Sequence, residues 1–228
     1  MAPTPEEKFI RACIKGDLTQ VKDLAQQGVS VDSRWQSSTG LMWAAMENHP
    51  EVVDYLLNKQ AAINLRNDSG YTALMYAAES DRREMVAKLL DEGADITGEN
   101  PYQETVLMML SRHGETDLVE RLIKMGANIA KTNRIGNTAL YLAVDNGHAY
   151  TVNTLIQAGA NVNIRNIGNW TPLIMASARG DLDVISLLLE HGADVKVVNR
   201  QGRTALDEAK DSFRAGDAIA LLKQAGAA

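Results

Sequence analysis

The sequence is poor in several residue types, and each shortage excludes something. A single cysteine, Cys13, rules out an intramolecular disulfide framework and any metal site built on several thiolates. Aromatic residues are only 5% of the 228, as three Trp, six Tyr and two Phe, so the core must be built from Ala, Leu, Ile, Val and the nine Met. There is no basic excess. The formal net charge is −6, whereas a general nucleic-acid binder shows a basic domain or stripe and a binder of anionic membranes a polybasic segment. No apolar run approaches the roughly 18 residues that cross a bilayer, so no membrane insertion is expected. The start, Met1-Ala2-Pro3-Thr4-Pro5-Glu6-Glu7-Lys8, lacks the apolar segment of a secretory leader. The default expectation is a soluble cytoplasmic chain, or a periplasmic or otherwise exported one if a leader has been removed.

What is present is a period. Thr39, Thr72, Thr105, Thr138, Thr171 and Thr204 lie 33 residues apart, and Leu41, Leu74, Leu107, Leu140, Leu173 and Leu206 keep step with them. So do Leu56, Leu89, Leu122, Leu155, Leu188 and Leu221, and the column Asn67, Asn100, Asn133, Asn166 and Asn199. Several independent columns in phase identify stacked repeats.

Each column has a local reason. A Thr hydroxyl can accept from an orphan N–H in the first turn of a helix, and Pro172 after Thr171 fits the first helical position, where no N–H is needed. A short helix follows with paired small residues, as in Ala44-Ala45 and Ala77-Ala78, which let neighbouring helices approach closely. It ends at Gly114, Gly147 or Gly180, or at Asn48 or Asp81, residues that tolerate the left-handed conformation of a helix end. A second helix carries an apolar stripe, for example Val53, Leu56 and Leu57. It stops at Gly-Ala, and an extended segment then turns through Gly70, Gly136 or Gly202, predicting a β-hairpin to the next helix pair.

These residues resemble the ankyrin-repeat family. The segments that carry the resemblance best are Asn169-Trp170-Thr171-Pro172-Leu173 and Leu188-Leu189-Glu190-His191-Gly192-Ala193-Asp194-Val195. The resemblance implies an all-α repeat solenoid: helix-turn-helix units joined by β-hairpin loops in a curved stack, with no chemistry attached. Seven units are expected in one domain over 1–228, at about 2–34, 35–66, 67–99, 100–132, 133–165, 166–198 and 199–228. The first and last carry polar faces that suit caps of a solenoid. The His that the family places three residues after the repeat Thr is replaced here by Met42, Met75, Met108, Tyr141, Ile174 and Asp207, so less rigid tips are expected. Repeat four departs most, with Pro101, Gln103 and the bulky run Met108-Met109-Leu110-Ser111.

No constellation for chemistry stands out. His49, His113, His148 and His191 fall at turns or helix ends and do not converge, so no metal site is expected. Ser111 and His113 are two apart on a helix and point to different sides, which argues against a nucleophile–base pair. No phosphate-binding Gly-rich motif is present. The chain is therefore expected to be neither an enzyme nor a cofactor or metal protein.

Function is expected on the concave hairpin and inner-helix face. By repeat phase, Trp35, Tyr71, Tyr102 and Trp170 lie in hairpins, with Ile135 and Ile167 on the tips, while Trp43, Tyr76 and Met109 share one column of the first helices. Aromatic and Met side chains are enriched in binding hot spots. An alternative for Trp43 and Tyr76 is packing between neighbouring first helices. Charge is polarised along the tips, from Glu47, Asp68, Glu79, Glu99 and Glu104 to Arg112, Arg134, Arg165, Arg179, Arg200 and Arg203. The acidic excess belongs to residues 1–114, which carry 11 Lys and Arg against 17 Asp and Glu. The candidate partner-binding residues are thus Trp35, Trp43, Tyr71, Tyr76, Tyr102, Met109, Arg112, Arg134, Ile135, Trp170 and Arg179. The expected function is non-catalytic protein binding by a chain that is monomeric when unbound. Two roles follow from occupying a partner: an enzyme inhibitor or immunity protein, or alternatively a scaffold or adaptor. A small-ligand protein and a nucleic-acid binder are the weaker readings.

Overall fold

The structure, a computed structural model, describes residues 2–227. Met1 and Ala228, the two ends of the expected array, lie outside the described residues. The chain gathers into two compact units, Met1–Pro101 and Tyr102–Ala228. Both are built of stacked helix pairs, so the fold is the all-α repeat solenoid that the period predicts.

In the first unit the pairs are α1 (Pro5–Lys15) with α2 (Leu18–Gln26), α3 (Gly40–Met46) with α4 (Pro50–Asn58), and α5 (Ala73–Glu79) with α6 (Arg83–Asp91). The second unit holds α7 (Val106–His113) with α8 (Thr116–Lys124), α9 (Ala139–Asp145) with α10 (Ala149–Gln157), α11 (Pro172–Arg179) with α12 (Leu182–Glu190), and α13 (Ala205–Ala209) with α14 (Ala215–Gln224). First helices stack on first helices (α1 on α3 on α5; α7 on α9 on α11 on α13), with second helices behind them. Among the described residues no helix is long and apolar enough to cross a membrane.

The local chemistry is the one the columns require. Every Thr of the 33-residue column caps a first helix, its hydroxyl accepting the N–H three residues on at 3.2–3.3 Å. Such a cap is worth about 1 kcal/mol. Leu41, Leu74, Leu107, Leu140, Leu173 and Leu206 are buried beneath the first helices, and Leu56, Leu89, Leu122, Leu155 and Leu188 beneath the second. Each contributes about 1.5–3 kcal/mol by leaving water.

The turns between helices are clamped to the preceding pair. His49 Nε2 lies 2.9 Å from the Ile14 carbonyl, and His148 Nε2 lies 2.9 Å from the Arg112 carbonyl. A carbonyl only accepts, so Nε2 carries the proton in both rings. Arg82 makes the equivalent bond to the Met46 carbonyl, and Arg179 to that of Asp145. These donors meet the carbonyls at helix ends that lack intrahelical partners. The clamp dictates the facing residue. A Cβ on Gly114 would stand 2.5 Å from His148 Nδ1, and one on Gly16 2.5 Å from His49 Nδ1.

The hairpins differ from the expectation in detail. Among the described residues only one is a strand pair, β1 (Arg34–Trp35) with β2 (Ser38–Thr39). In four of the others the Asn column takes over. Asn67, Asn133, Asn166 and Asn199 each accept, through Oδ1, from the backbone N–H groups two and four residues on. One amide oxygen thereby satisfies the donors that a strand partner would take. The side-chain NH2 then reaches back one repeat: Asn67 to Ser38, Asn100 to Tyr71, Asn133 to Glu104, and Asn166 to Asn137. In the second unit the tips are also bonded backbone to backbone, from Arg134 to Tyr102, Ile167 to Ile135, and Arg200 to Gly168. Despite the missing family His, the tips are firmly tied. Gln103 and Asn169 hold the left-handed turn at φ 60° and 62°, where Gly70, Gly136 and Gly202 stand in other repeats.

Candidate functional site

The expected binding residues divide between the two units. In the first unit they form an aromatic patch. Trp43 on α3 stacks on Tyr76 of α5 with centroids 6.2 Å apart, and Tyr76 stacks on Tyr71 of the adjoining hairpin at 5.2 Å. Separately, the Arg11 guanidinium of α1 lies 5.5 Å from the ring of Trp35. All four rings are half-buried. Trp43 and Tyr76 therefore pack against each other between α3 and α5, the alternative weighed for them, while staying partly exposed. The tyrosine hydroxyls are engaged in the scaffold: Asn67 donates to that of Tyr76 at 3.0 Å and Asn100 to that of Tyr71 at 3.1 Å. Trp43 Nε1 is buried and has no hydrogen-bond partner among the described residues.

In the second unit the exposed candidates lie on the hairpin tips. Tyr102 is 61% exposed, Ile135 49% and Ile167 56%. Tyr102 and Ile135 flank a shallow depression of about 280 Å³, which Glu104, Asn133 and Arg134 complete. Trp170 is half-buried. Its ring lies so close to Gly168 that a Cβ there would come within 2.9 Å of it.

Three candidates are placed differently from the expectation. Met109 is wholly buried, so it belongs to the core and is withdrawn from the binding residues. The residues from Val106 to Ser111 are all buried in α7, and the bulk of the run carries Met109 inward. Arg112 is ion-paired with Glu104 rather than displayed. Glu104 is itself nearly buried and also accepts from Asn133, so it is no tip carboxylate. Arg179 serves the turn clamp, with 2.7 Å to the Asp145 carbonyl and 3.6 Å to Asp181.

The sequence reading did not anticipate two strongly exposed aromatics, Tyr150 at 85% and Phe213 at 97%. A signal existed for the second, because Phe213 stands 33 residues after Gly180 and 66 after Gly147, where the period calls for a turn glycine.

Groups that often carry chemistry are dispersed. Cys13 is buried, and burial pushes its thiol up to about 12. Ser111 Oγ and His113 Nε2 are each buried without a hydrogen-bond partner among the described residues. No group of three or more His, Cys, Asp or Glu within reach of one metal ion occurs among the described residues.

Comparisons with known proteins agree with this architecture. A family model described as ankyrin repeats (3 copies) matches residues 9–100 and 97–166, and one described as ankyrin repeats (many copies) matches 155–209. Among solved structures, the human ASB11 ankyrin repeat domain superposes with a TM-score of 0.80 at 28% identity, covering 93% of this chain and 96% of that one. An ankyrin repeat domain from Acinetobacter baumannii gives 0.72 at 31% identity, covering 82% of this chain and 98% of that one. A curated relative, the palmitoyltransferase AKR1 of Eremothecium gossypii, is 36% identical over 63 residues, which is 26% of this chain and only 9% of that protein.

Proposed function

The chain belongs to the ankyrin-repeat family, generally a protein–protein interaction module, and from that premise we propose that it is a non-catalytic binder that acts by occupying its partner. The observation that carries this reading is the row of tips in the second unit. Tyr102, Ile135 and Ile167 are each about half exposed or more on backbone that is hydrogen-bonded from hairpin to hairpin. Large apolar groups held out on a firm frame lose little conformational freedom on binding, so more of the contact energy reaches the affinity. The aromatic patch of the first unit supplies a second surface of the same character.

Between the two roles that occupation allows, we favour inhibition, as an enzyme inhibitor or immunity protein masking a partner, over an adaptor role. The reading is tested by recovering a partner from native extract with the intact chain, purifying it, and titrating it against Ile135→Glu/Ile167→Glu. Loss of binding supports the tips as the docking surface, and undiminished binding removes them. An inhibitory role further requires that the partner's own activity fall on titration with the wild-type chain and not with the variant.

A further inference from the structure

The hairpins of the second unit carry three arginines with nothing to pair with, Arg134 and Arg200 at the bonded tips and Arg165 one residue before Asn166. Arg134, Arg165 and Arg200 are exposed, and among the described residues no carboxylate or other acceptor meets their side chains. This is unusual within the unit. Arg112 pairs with Glu104, Arg179 with Asp181, Arg203 with Glu208 and Asp211, and Arg214 with Asp217. Glu104, which lines the same depression as Arg134, is already occupied by Arg112 and Asn133, and Glu208, bonded to the Asn199 beside Arg200, by Arg203. The tips therefore combine unneutralised positive charge with exposed apolar surface.

The two features alternate along one row. The backbone bonds run from Tyr102 to Arg134, from Ile135 to Ile167, and from Gly168 to Arg200. An arginine therefore sits at each end of an isoleucine-bearing rung, and the depression of about 280 Å³ opens between Tyr102 and Ile135 next to Arg134. We propose that this row binds an extended acidic polypeptide segment, with apolar side chains set on Tyr102, Ile135 and Ile167 and carboxylates paired with Arg134, Arg165 and Arg200. The inference rests on the protein-binding reading above and names the chemistry of the partner. Carboxylates match the planar guanidinium fork in two parallel hydrogen bonds, and complementary charge speeds encounter and excludes wrong partners. A nucleic-acid strand offers the same charge but needs a succession of aromatic platforms for its bases. This row has one tyrosine and two isoleucines.

The test is fluorescence anisotropy on the intact chain at physiological ionic strength with three labelled probes of equal length. These are a peptide alternating Glu with Leu and Phe, its counterpart with Lys for Glu, and an oligothymidylate. The acidic peptide is expected to bind roughly tenfold or more tighter than either of the others. Arg134→Glu/Arg165→Glu/Arg200→Glu is expected to reverse the order of the two peptides. These side chains touch no structural partner, and circular dichroism verifies that the fold is kept. Ile135→Ser/Ile167→Ser should weaken the acidic peptide at unchanged salt dependence. Equal binding of the two peptides, tighter binding of the oligothymidylate, or an unchanged order in the triple variant would each overturn the proposal. A partner that is lost on Ile135→Glu/Ile167→Glu yet indifferent to the triple arginine variant would sink this inference and leave the protein-binding reading standing.

Discussion

Replacing Asn133 by Asp tests the Asn column at its most sensitive place. The carboxylate keeps the acceptor that holds the Ile135 and Asn137 N–H groups at 3.1 and 2.9 Å. It loses the NH2 that donates to Glu104 Oε1 at 3.3 Å, and sets a second carboxylate against that buried side chain. Two like charges about 4 Å apart repel by about 4 kcal/mol at an effective dielectric constant of about 20. The lost hydrogen bond adds about 1 kcal/mol. Arg112, already paired with Glu104, offsets part of this, so a net loss of about 2–3 kcal/mol is expected, or roughly 4–12 °C in Tm for a chain of this size. Asn166→Asp is the control. There the NH2 donates to Asn137 Oδ1 at 3.0 Å, and an amide can turn over to present its own NH2 instead. Tyr141, whose hydroxyl burial holds in its neutral form, can likewise donate to the new carboxylate. The control should cost about 1 kcal/mol or less. The pH dependence has a definite sign. Two carboxylates sharing a site raise one folded-state pKa above its unfolded value, so the deficit is present at neutral pH and shrinks as pH falls through that raised pKa. Thermal melts followed by circular dichroism at pH 7 and at about pH 4.5, each against wild type at the same pH, read the effect. Equal losses for the two variants, or a deficit in Asn133→Asp unchanged by acid, would refute the reasoning.

Gly114→Ala is expected to cost about 2 kcal/mol or more in chemical unfolding. The residue sits at φ 78°, and the new Cβ drives the His148 ring off the Arg112 carbonyl; His148→Ala in the same chain should recover part of the loss. Cys13, buried and with its thiol held protonated, should resist a thiol reagent at about pH 8 in the native protein and react fully in denaturant; rapid native labelling would contradict its placement. Asp207 is held well below the usual carboxylate range by the Lys210 ammonium first and by the Thr204 N–H and hydroxyl next. A depressed folded-state pKa contributes stability above the unfolded value of about 3.9 and loses it as pH falls toward the folded value. The last helix pair should therefore loosen in acid, with lower amide protection factors in α13 and α14 once the intrinsic pH dependence of exchange is divided out, and Asp207→Asn should flatten that slope.

The parts of this fold that were legible in the sequence are those set by neighbours a few residues away. A Thr three residues before its N–H partner, or an apolar stripe on a nine-residue helix, acts within one turn, and all six caps follow. The Asn column was equally visible as a period, yet its two-way use was not, because the partner of each NH2 lies 29 residues back and differs in kind: a serine hydroxyl, a tyrosine hydroxyl, a carboxylate, an amide. The candidate surface was legible in part for the same reason. Repeat phase places Tyr102, Ile135 and Ile167 on the tips, where they are exposed. It also puts Met109 level with Trp43 and Tyr76, but whether such a column faces water depends on the bulk of the helices beside it, and in α7 that bulk buries it. Formal charge misled at Glu104, an acidic residue by count that Arg112 and Asn133 take out of play.

The same division of labour explains why the tips are where recognition can be written. At the Thr, Asn and Leu columns the side chain closes a cap, a turn or the core, so a change there costs stability before it alters any surface. The two residues that follow each Asn are under no such demand. In Asn133-Arg134-Ile135, Asn166-Ile167-Gly168 and Asn199-Arg200-Gln201 the Asn fixes the turn, and the next two residues give the scaffold backbone groups alone: one donates its N–H to the preceding tip, the other its N–H to the Asn Oδ1. The side chains of Arg134, Ile135, Ile167, Arg200 and Gln201 are left exposed; Gly168 is the exception, since a Cβ there would come within 2.9 Å of the Trp170 ring. A charge at one tip, an apolar group at the next and a charge at the third can thus be combined at little cost to the fold. Exchanging the side chains of Arg134 and Ile135 should accordingly leave the melting temperature nearly unchanged, since surface substitutions away from structural partners usually stay within about 0.5 kcal/mol. It should nonetheless weaken the acidic peptide, because the depression beside Tyr102 would lose its apolar wall. A large loss of stability from that exchange would mean that these two side chains carry the scaffold after all.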